Sequence, residues 1–332
     1  MADLPPELSV RLAPLDHVER FVPLMREAFD IPVAERHFAW KHLENPAGPA
    51  VGFEAIGPDG PAAFYGVIPE TYLVRGQRTR VYQTADIMIH PRYRGSGLYM
   101  VLSNRTYDHL LAEEGGYTLV AFPNEKLLSV ATRRLGWSLL HTIPLVFLPR
   151  LIHRVRRRRS RAAELTFTTV KHAIELDPYL SVRPQPSRPI SVELSSEFLQ
   201  WRGFDHPYDP AQACLVSRAS EPVGICLFST DERSRCMVRL ADFVSLEVYE
   251  QAFVALAAYL FEQTGASLLY TWEPVDEAQR SALRRSGFLK NPAGRGPGSA
   301  RHSFISRSQP RHVHGEDWLR PASFDVQPIM HD

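Results

Sequence analysis

Two arginines and two glycines lie close together in IMIHPRYRGSGLYMVL, residues 87–102. Arg92 and Arg94 can donate charge-assisted hydrogen bonds to an anion, and Gly95 and Gly97 let the backbone approach a ligand closely. The apolar spacing from Leu98 onward predicts a helix, whose first turn presents unpaired amides and the positive end of the helix dipole. These residue types at this junction predict a binding site for a pyrophosphate.

Two common phosphate-binding motifs do not fit this segment. It lacks the third glycine and the later acidic residue of a dinucleotide-binding unit, and no Gly-Lys-Ser/Thr of a P-loop follows. A helix dipole alone contributes only about 0.3–1 kcal/mol when exposed, so the amides and arginines must supply most of the binding.

The elements around this segment follow an α+β order. Helices are predicted over about 17–29 and 33–43, with Pro32 between them, and a hairpin turns at 58–60. A long strand ends at His90, and the helix that begins at Leu98 closes at Gly115. YTLVAFP is a buried strand, and the helix after Asn124 ends at Gly136. These elements make up a first domain over residues 1–150.

Composition indicates a soluble two-domain protein of ordinary character. The chain has 332 residues, is 44% hydrophobic and carries a net charge of +1, so no specific nucleic-acid partner is expected. Cys214, Cys226 and Cys236 have no CxxC spacing, which favours a reducing compartment. No signal peptide or transmembrane segment is evident, and cytoplasmic localisation is predicted. The histidines near residues 312–331 lack zinc-like spacing, so no metal is predicted.

A basic segment, RLIHRVRRRRSR, follows the first domain. Together with the proline-rich VRPQPSRP it predicts a linker over residues 151–189. The arginines from Arg154 to Arg161 can alternatively bind an acidic partner, which could be a phosphorylated substrate, nucleic acid or, by peripheral contact, an anionic membrane surface. The residues imply no particular oligomeric state.

The second half of the chain repeats the first. FAWKHLENP (38–46) returns as FLQWRGFDHP (198–207), TADIMIH as LADFVSL, and ATRRLGW as ALRRSGF. Three matches in one order predict a duplicated fold, with a second copy over 190–308 and a tail over 309–332. The second copy has LEVYEQAF where the first has HPRYRGSGL, so it lacks the anion-binding residues.

DIMIHPRYRGSGL and AFPNEKLLSVATRRLGW resemble the fourth strand, acyl-CoA loop, fifth strand and following helix of the GCN5-related N-acetyltransferase (GNAT) family. The resemblance implies two tandem GNAT-like domains of the α+β class, each a mixed, mostly antiparallel twisted sheet flanked by helices, the second copy degenerate. It implies that the CoA pyrophosphate is surrounded by Arg92, Arg94, Gly95, Ser96, Gly97 and Leu98. Backbone of Met88 and Ile89 would follow the pantetheine arm. Asn124 would lie near the pantetheine or thioester, although its position also fits a helix N-cap.

The implied activity is acyl-CoA-dependent N-acyl transfer, with acetyl-CoA as donor and a small amine, such as an amino sugar or amino acid derivative, as acceptor. An amine of pKa about 10.4 is neutral in about one molecule in 2,500 at pH 7, a penalty of about 4.6 kcal/mol, and such a substrate needs a base. Asp86, in an apolar strand beside the expected thioester, is one candidate base or a structural carboxylate. His90 and Glu70 are alternatives.

One position departs from the family pattern. Many GNAT enzymes carry a tyrosine four residues before the closing glycine as proton donor to the leaving thiolate, and Thr132 stands there. A non-catalytic acyl-CoA-binding or scaffold module is therefore an alternative function. Tyr99 is expected to point along the CoA-binding helix. Four aromatic residues can line an acceptor pocket or pack in the core: Trp40, Tyr65, Tyr82 and Trp137.

Overall fold

The computed structural model describes residues 4–30, 35–157, 165–186, 188–290 and 301–330. The chain forms two compact units. The first comprises Met1–Leu140 and Phe304–Ser323, and the second comprises His141–Ser303 and Phe324–Asp332. The class is α+β as predicted, but the chain returns to its first unit after building most of the second.

The described strands are, in chain order, β1 (Ser9–Leu12), β2 (Val51–Gly57), β3 (Gly60–Val74), β4 (Gln77–Ile89), β5 (Tyr117–Ala121), β6 (Ser138–Pro149), β7 (Leu165–Val170), β8 (Ile190–Val192), β9 (Gln212–Arg218), β10 (Glu221–Thr230), β11 (Arg235–Phe243), β12 (Leu268–Trp272), β13 (Leu289–Lys290), β14 (Arg301–Gln309), β15 (His312–Val313) and β16 (Glu316–Asp317). The described α-helices are α1 (Phe21–Phe29), α2 (Glu35–His42), α3 (Leu98–Glu114), α4 (Glu125–Arg134), α5 (Arg150–Arg157), α6 (Asp177–Leu180), α7 (Ser196–Leu199), α8 (Leu246–Thr264) and α9 (Glu277–Arg285).

The sheet of the first unit has the order β1-β2-β3-β4-β5-β14. Its neighbours are antiparallel except β4 and β5, which are parallel. Helix α3 covers one face over a core that includes Tyr65, Tyr82 and Leu102. On the opposite side, the rings of Phe21 and Phe38 stack 5.1 Å apart.

Local sequence signals set several boundaries correctly. The predicted helix over 98–114 is confirmed, and Gly115 caps it in the left-handed region at φ 71°. The hairpin predicted at 58–60 is confirmed by the pairing of Gly57 with Gly60. Helix α1 ends at Phe29, with Asp30 left-handed at φ 55°. Pro32, which was predicted to end it, lies outside the described residues.

Strand β14 changes the predicted domain boundaries. It pairs antiparallel with β5, from Ile305 opposite Ala121 to Gln309 opposite Tyr117. Residues 304–308, predicted for the second copy, and most of the predicted tail therefore belong to the first unit. The sequence repeat did not indicate this because strand pairing between distant segments leaves no local pattern.

Arg307 of β14 anchors this strand to the first unit. Its Nε donates to the Tyr117 hydroxyl at 3.0 Å, and its guanidinium lies 4.8 Å from the centre of the Tyr107 ring. Its Nη1 donates to the Leu135 carbonyl. A Cβ on Gly136 would lie 2.5 Å from that same nitrogen, and Gly136 is left-handed at φ 68°. A side chain at the glycine that closes α4 would thus be strained by the backbone angle and would displace the end of the Arg307 side chain.

The second unit contains the segment predicted as a linker. Its sheet has the order β6-β12-β11-β10-β9-β7, and β7 pairs antiparallel with β9 along its whole length. In α5, His153 is buried and Ile152 packs against the core around α8. A linker would not bury side chains in this way, so the described residues within 151–189 belong to a folded unit.

Membrane contact through the basic segment stays a prediction. Leu151 and Val155 of α5 are exposed, and Arg158 to Arg161 lie outside the described residues. Within the described part of the chain, no helix is long and apolar enough to cross a membrane.

Replacing Gly136 with alanine is predicted to loosen the attachment of β14. The left-handed backbone alone costs about 1–2 kcal/mol for a residue with a Cβ, and displacement of Arg307 adds to this. Gly115→Ala is the matched control, since Gly115 has φ 71° but open space around its Cβ position. Native-state hydrogen exchange of residues 117–121 should show a larger loss of protection for Gly136→Ala. Equal losses of protection in the two variants would contradict the proposed role of Arg307 in attaching β14.

Candidate functional site

Strands β4 and β5 pair at only two positions and then separate. The pairs are Tyr82 with Leu119 and Gln83 with Val120. Just beyond them, β4 carries a bulge, because Gly66 of β3 lies opposite Ala85 whereas Phe64 lies opposite Met88. A bulge bends its strand and increases its twist. The resulting space is called the β4–β5 gap.

A cavity of about 290 Å³ occupies the β4–β5 gap. It is bounded by the bulge of β4, the start of α3, the end of β5 with the start of α4, the last residue of α1, and one residue of β14. The residues that line it include Thr84, Asp86, Tyr99, Asn124, Trp137 and Ile305. Ile305 comes from β14, so the returning segment contributes a wall of this cavity.

The loop of residues 90–97 leads from β4 into α3. Pro91–Tyr93 forms a 3₁₀ turn, and the Ser96 hydroxyl donates to the Tyr93 carbonyl at 2.7 Å. Gly95 and Gly97 are left-handed, at φ 84° and 85°. Gly97 is the N-cap of α3 and offers no side-chain acceptor to the first-turn amides. An anion can therefore take the place of a capping side chain.

Both arginines of this loop contact protein groups in the described structure. Arg94 donates through Nη2 to the carbonyl of Ala28, at the end of α1, at 2.9 Å. Arg92 lies 3.9 Å from the Asp59 carboxylate and 5.4 Å from the centre of the Tyr93 ring. The Arg92–Asp59 pair is exposed, and such pairs contribute at most about 1 kcal/mol. An anion that binds Arg92 more tightly can therefore replace Asp59, and the free energy lost with the Arg92–Asp59 pair is small.

Asp86 lies in the bulge and lines the cavity. It is left-handed at φ 50°, a strained conformation for a residue other than glycine, at about 1–3 kcal/mol. Its Oδ1 accepts from Lys41 Nζ at 3.0 Å, and its Oδ2 lies 2.9 Å from His42 Nε2. The three side chains are 9%, 4% and 0% exposed, so solvent screens these contacts little. Neither α2 partner of Asp86 was predicted.

His90 and Glu70 are not among the residues that line this cavity. His90 accepts from the Arg92 amide through Nδ1 at 3.2 Å, and its Nε2 lies 2.5 Å from a Glu27 carboxylate oxygen. It therefore stabilises the end of β4. Glu70 is buried opposite Val81 of β4. It is five residues along β3 from Tyr65, about 17 Å at about 3.4 Å per residue.

Met88, Ile89 and Asn124 were also predicted to contact acyl-CoA, and of these only Asn124 is among the residues that line the cavity. Met88 and Ile89 lie beyond the bulge, opposite Phe64 and Ala63 of β3. Asn124 lines the cavity, and its Oδ1 accepts from the Leu127 amide at 3.0 Å. Its interpretation as the N-cap of α4 is thereby confirmed, while its position at the cavity leaves its amide nitrogen available for a ligand contact.

The hydroxyl of Thr132 donates to the Leu128 carbonyl within α4, at 2.8 Å. Tyr99 instead lines the cavity, although it was expected to point along the helix. Burial raises the pKa of Tyr99 well above its ordinary value, so its hydroxyl stays protonated at neutral pH. No pattern in the sequence indicated this orientation, because the direction of a first-turn side chain depends on how the helix packs.

A chain of hydrogen bonds lies beside the cavity. Trp137 Nε1 donates to the Tyr107 hydroxyl at 3.0 Å, and that hydroxyl lies 3.1 Å from the hydroxyl of Tyr65. Tyr65 lies 3.3 Å from the Thr84 hydroxyl. Tyr65 and Tyr107 are buried, so Tyr65 serves the core rather than an acceptor pocket. Trp40 is also fully buried, and Tyr82 bonds Glu114.

The corresponding position of the second unit is partly occupied by the chain itself. Strands β11 and β12 pair in parallel from Arg235–Leu268 to Met237–Tyr270 and then separate. Residues 325–328 lie against β11 and line a cavity of about 50 Å³ there. Asp325 and Gln327 also border a cavity of about 290 Å³ between the end of β11 and the start of α9. Arg202, the counterpart of Lys41 in the repeat, donates to the carbonyl of Met330 at 3.0 Å. The second unit therefore keeps the strand divergence and places residues 325–328 beside it.

The free energy of unfolding is predicted to depend on pH through Asp325, in the segment of residues 325–328. Burial, together with the charge of Asp242, raises its pKa from 3.8 to about 6. The folded state then binds more protons than the unfolded state between about pH 4 and 6, so stability falls as pH rises through that window, by about 3 kcal/mol in total. Asp325→Asn should reduce this fall in urea unfolding between pH 4 and 7.5. The exposed replacement Glu232→Gln should leave it unchanged, and an unaltered profile in Asp325→Asn would contradict the assignment.

Comparisons with known proteins agree with this architecture. No protein-family model matches the chain, and no curated protein matches it in sequence. Among solved structures, a GCN5-related N-acetyltransferase from Anabaena variabilis ATCC 29413 superposes with a TM-score of 0.64 at 14% identity, over 90% of this chain and 72% of that chain. A conserved protein of unknown function from Enterococcus faecalis V583, a probable N-acyltransferase, gives 0.66 at 12% identity, over 90% and 72%.

A third similar structure is Saccharomyces cerevisiae N-myristoyltransferase with bound myristoyl-CoA. It superposes with a TM-score of 0.59 at 12% identity, over 97% of this chain and 85% of that chain. Within the described residues, no group of three or more His, Cys, Asp or Glu side chains could hold a metal ion. The chain has the GCN5-related N-acetyltransferase fold.

Proposed function

We propose that this chain is an acyl-CoA-dependent N-acyltransferase that transfers an acetyl group from acetyl-CoA to a small primary amine. The observation that carries the proposal is the β4–β5 gap of the first unit. Its cavity of about 290 Å³ adjoins a helix whose N-terminus is capped by a glycine and preceded by two arginines. The similarity of fold to N-acyltransferases supports the same function.

In this proposal the 90–97 loop binds the pyrophosphate of CoA. The first-turn amides of α3 donate to the phosphate oxygens, and the left-handed glycines leave no side chain in the way. Arg92 can move from its exposed contact with Asp59 to the anion. The pantetheine arm would follow the edge of β4, where pairing with β5 has ended, toward Asp86 and Asn124.

The reaction joins the amine nitrogen to the thioester carbonyl carbon and breaks the carbon–sulfur bond. The electron pair leaves with sulfur, and the former amine nitrogen loses a proton. Among the three candidate bases, only Asp86 lines the cavity, so we propose that its carboxylate accepts the proton lost by the amine nitrogen. The ammonium of Lys41 stabilises the ionised carboxylate, which keeps it ready to accept a hydrogen bond from the incoming amine.

Tyr99 is the proposed proton donor to the leaving thiolate. The Thr132 hydroxyl already donates within its helix, whereas the Tyr99 side chain lines the cavity and stays protonated. Tyr99→Phe should lower kcat about 100-fold while the Kd of acetyl-CoA changes little, because only a transition-state contact is lost. Thr132→Val should leave kcat within about threefold of the wild type. Wild-type turnover by Tyr99→Phe would rule out this role.

The function itself is tested by thiol release from acetyl-CoA across a panel of small amines, with calorimetric titration of CoA in parallel. Arg94→Glu should weaken CoA binding about 10- to 100-fold, since the loop loses one positive charge and gains a negative charge that repels the pyrophosphate. Arg105→Glu, an exposed position on α3, makes the same change of charge away from the loop and should have little effect. Undiminished CoA affinity in Arg94→Glu would contradict the site.

A non-catalytic acyl-CoA-binding module is the second candidate, favoured by the commitment of the Thr132 hydroxyl to its own helix. Tight acetyl-CoA binding without thiol release on any amine of the panel would support it. Turnover that Tyr99→Phe abolishes would support the enzyme.

A further inference from the structure

We infer that Lys41 and His42 are positioning residues that hold Asp86 in its left-handed conformation and so maintain the bulge that separates β4 from β5. The inference rests on the proposed function in reading the β4–β5 gap as the acyl-CoA site. Helix α2 does not line the cavity, yet in this inference it controls the shape of the cavity through Asp86.

The conformation of Asp86 needs an explanation from its surroundings. Residues other than glycine rarely adopt φ near 50°, and they do so only where neighbouring groups fix them. Here each carboxylate oxygen has its own donor or partner on α2, at 3.0 and 2.9 Å. Two contacts on one short side chain fix its orientation, and the backbone that carries it must follow.

His42 is itself held in place. Its ring lies 4.1 Å from that of Phe38 and 5.5 Å from that of Phe64, in an edge-on arrangement with the latter. A Cβ on Gly66 would come within 3.3 Å of His42 Cε1. The imidazole therefore cannot swing toward Asp86 or away from it without moving two buried aromatic rings, which makes it a rigid support.

The repeat within the chain supplies an internal comparison. Asp242 matches Asp86 in sequence, but it lies in register opposite Ile225 and is bonded by Tyr179 at 2.9 Å and by Arg183. Arg202, which matches Lys41, binds backbone carbonyls instead. The second unit thus keeps the aspartate without the α2-type contact and without the bulge at that residue. The left-handed bulge is therefore found in the unit where the aspartate contacts a lysine of α2, and not in the unit where the aspartate lacks that contact.

Glycine allows this inference to be tested, because it adopts φ near 50° without partners. Asp86→Gly should keep CoA affinity within about threefold of the wild type, whereas Asp86→Ala should weaken it about tenfold or more. Lys41→Met should also weaken binding about tenfold, but should have little further effect in the Asp86→Gly background. Lys171→Met, at an exposed position, is the matched control and should change nothing. Hydrogen exchange of residues 84–89 in the absence of CoA provides a second measurement.

Exchange should increase in Asp86→Ala and Lys41→Met and should be restored in the Lys41→Met/Asp86→Gly double variant. Equal effects of Lys41→Met in the two backgrounds would overturn the inference, as would wild-type exchange and affinity in Asp86→Ala. If the wild type binds no CoA, the proposed function fails, and the exchange measurements still decide whether Lys41 acts through Asp86.

Discussion

The divergence of two parallel strands is the constraint on which the first unit depends. Strands β4 and β5 share two residue pairs before the bulge at Asp86 turns them apart. Separation leaves backbone groups of β4 without a strand partner on that edge, and buried backbone groups require partners. An extended ligand with amide groups can supply them, which is why a gap in a sheet is a suitable place for a pantetheine arm. The adjoining loop and the N-terminus of α3 add the charge that such a ligand needs.

Local patterns in the sequence predicted the elements that build this gap. The glycines that end α3 and α4 and the cap at Asn124 were all indicated by residue type and spacing, because helix termini obey rules that act over a few residues. The position of the 90–97 loop between β4 and α3 was predicted for the same reason. The duplicated aspartate and tryptophan motifs indicated a second copy.

What the sequence did not predict depends on contacts between distant segments. The lysine and histidine that hold Asp86 come from α2, about 45 residues earlier. The direction of Tyr99 is set by the packing of α3, and the position of residues 325–328 beside β11 depends on a segment more than 80 residues further along the chain. Basic residues after position 150 suggested a solvated linker, yet Ile152 and His153 are packed in a core. Charge patterning describes the exposed side of a helix and says little about its buried side.

Strand β14 imposes an order of events on a chain that is synthesised from its N-terminus. The first unit receives this strand only after about 160 further residues have been added beyond Leu140. At about 5–20 residues per second, the edge of β5 stays unpaired for roughly 8–30 s while the second unit emerges. During that interval the nascent chain presents an open sheet edge to other chains and to chaperones. The two units are interleaved along the chain, because the second unit resumes at Phe324, after β14, and so receives its own last segment after the first unit does.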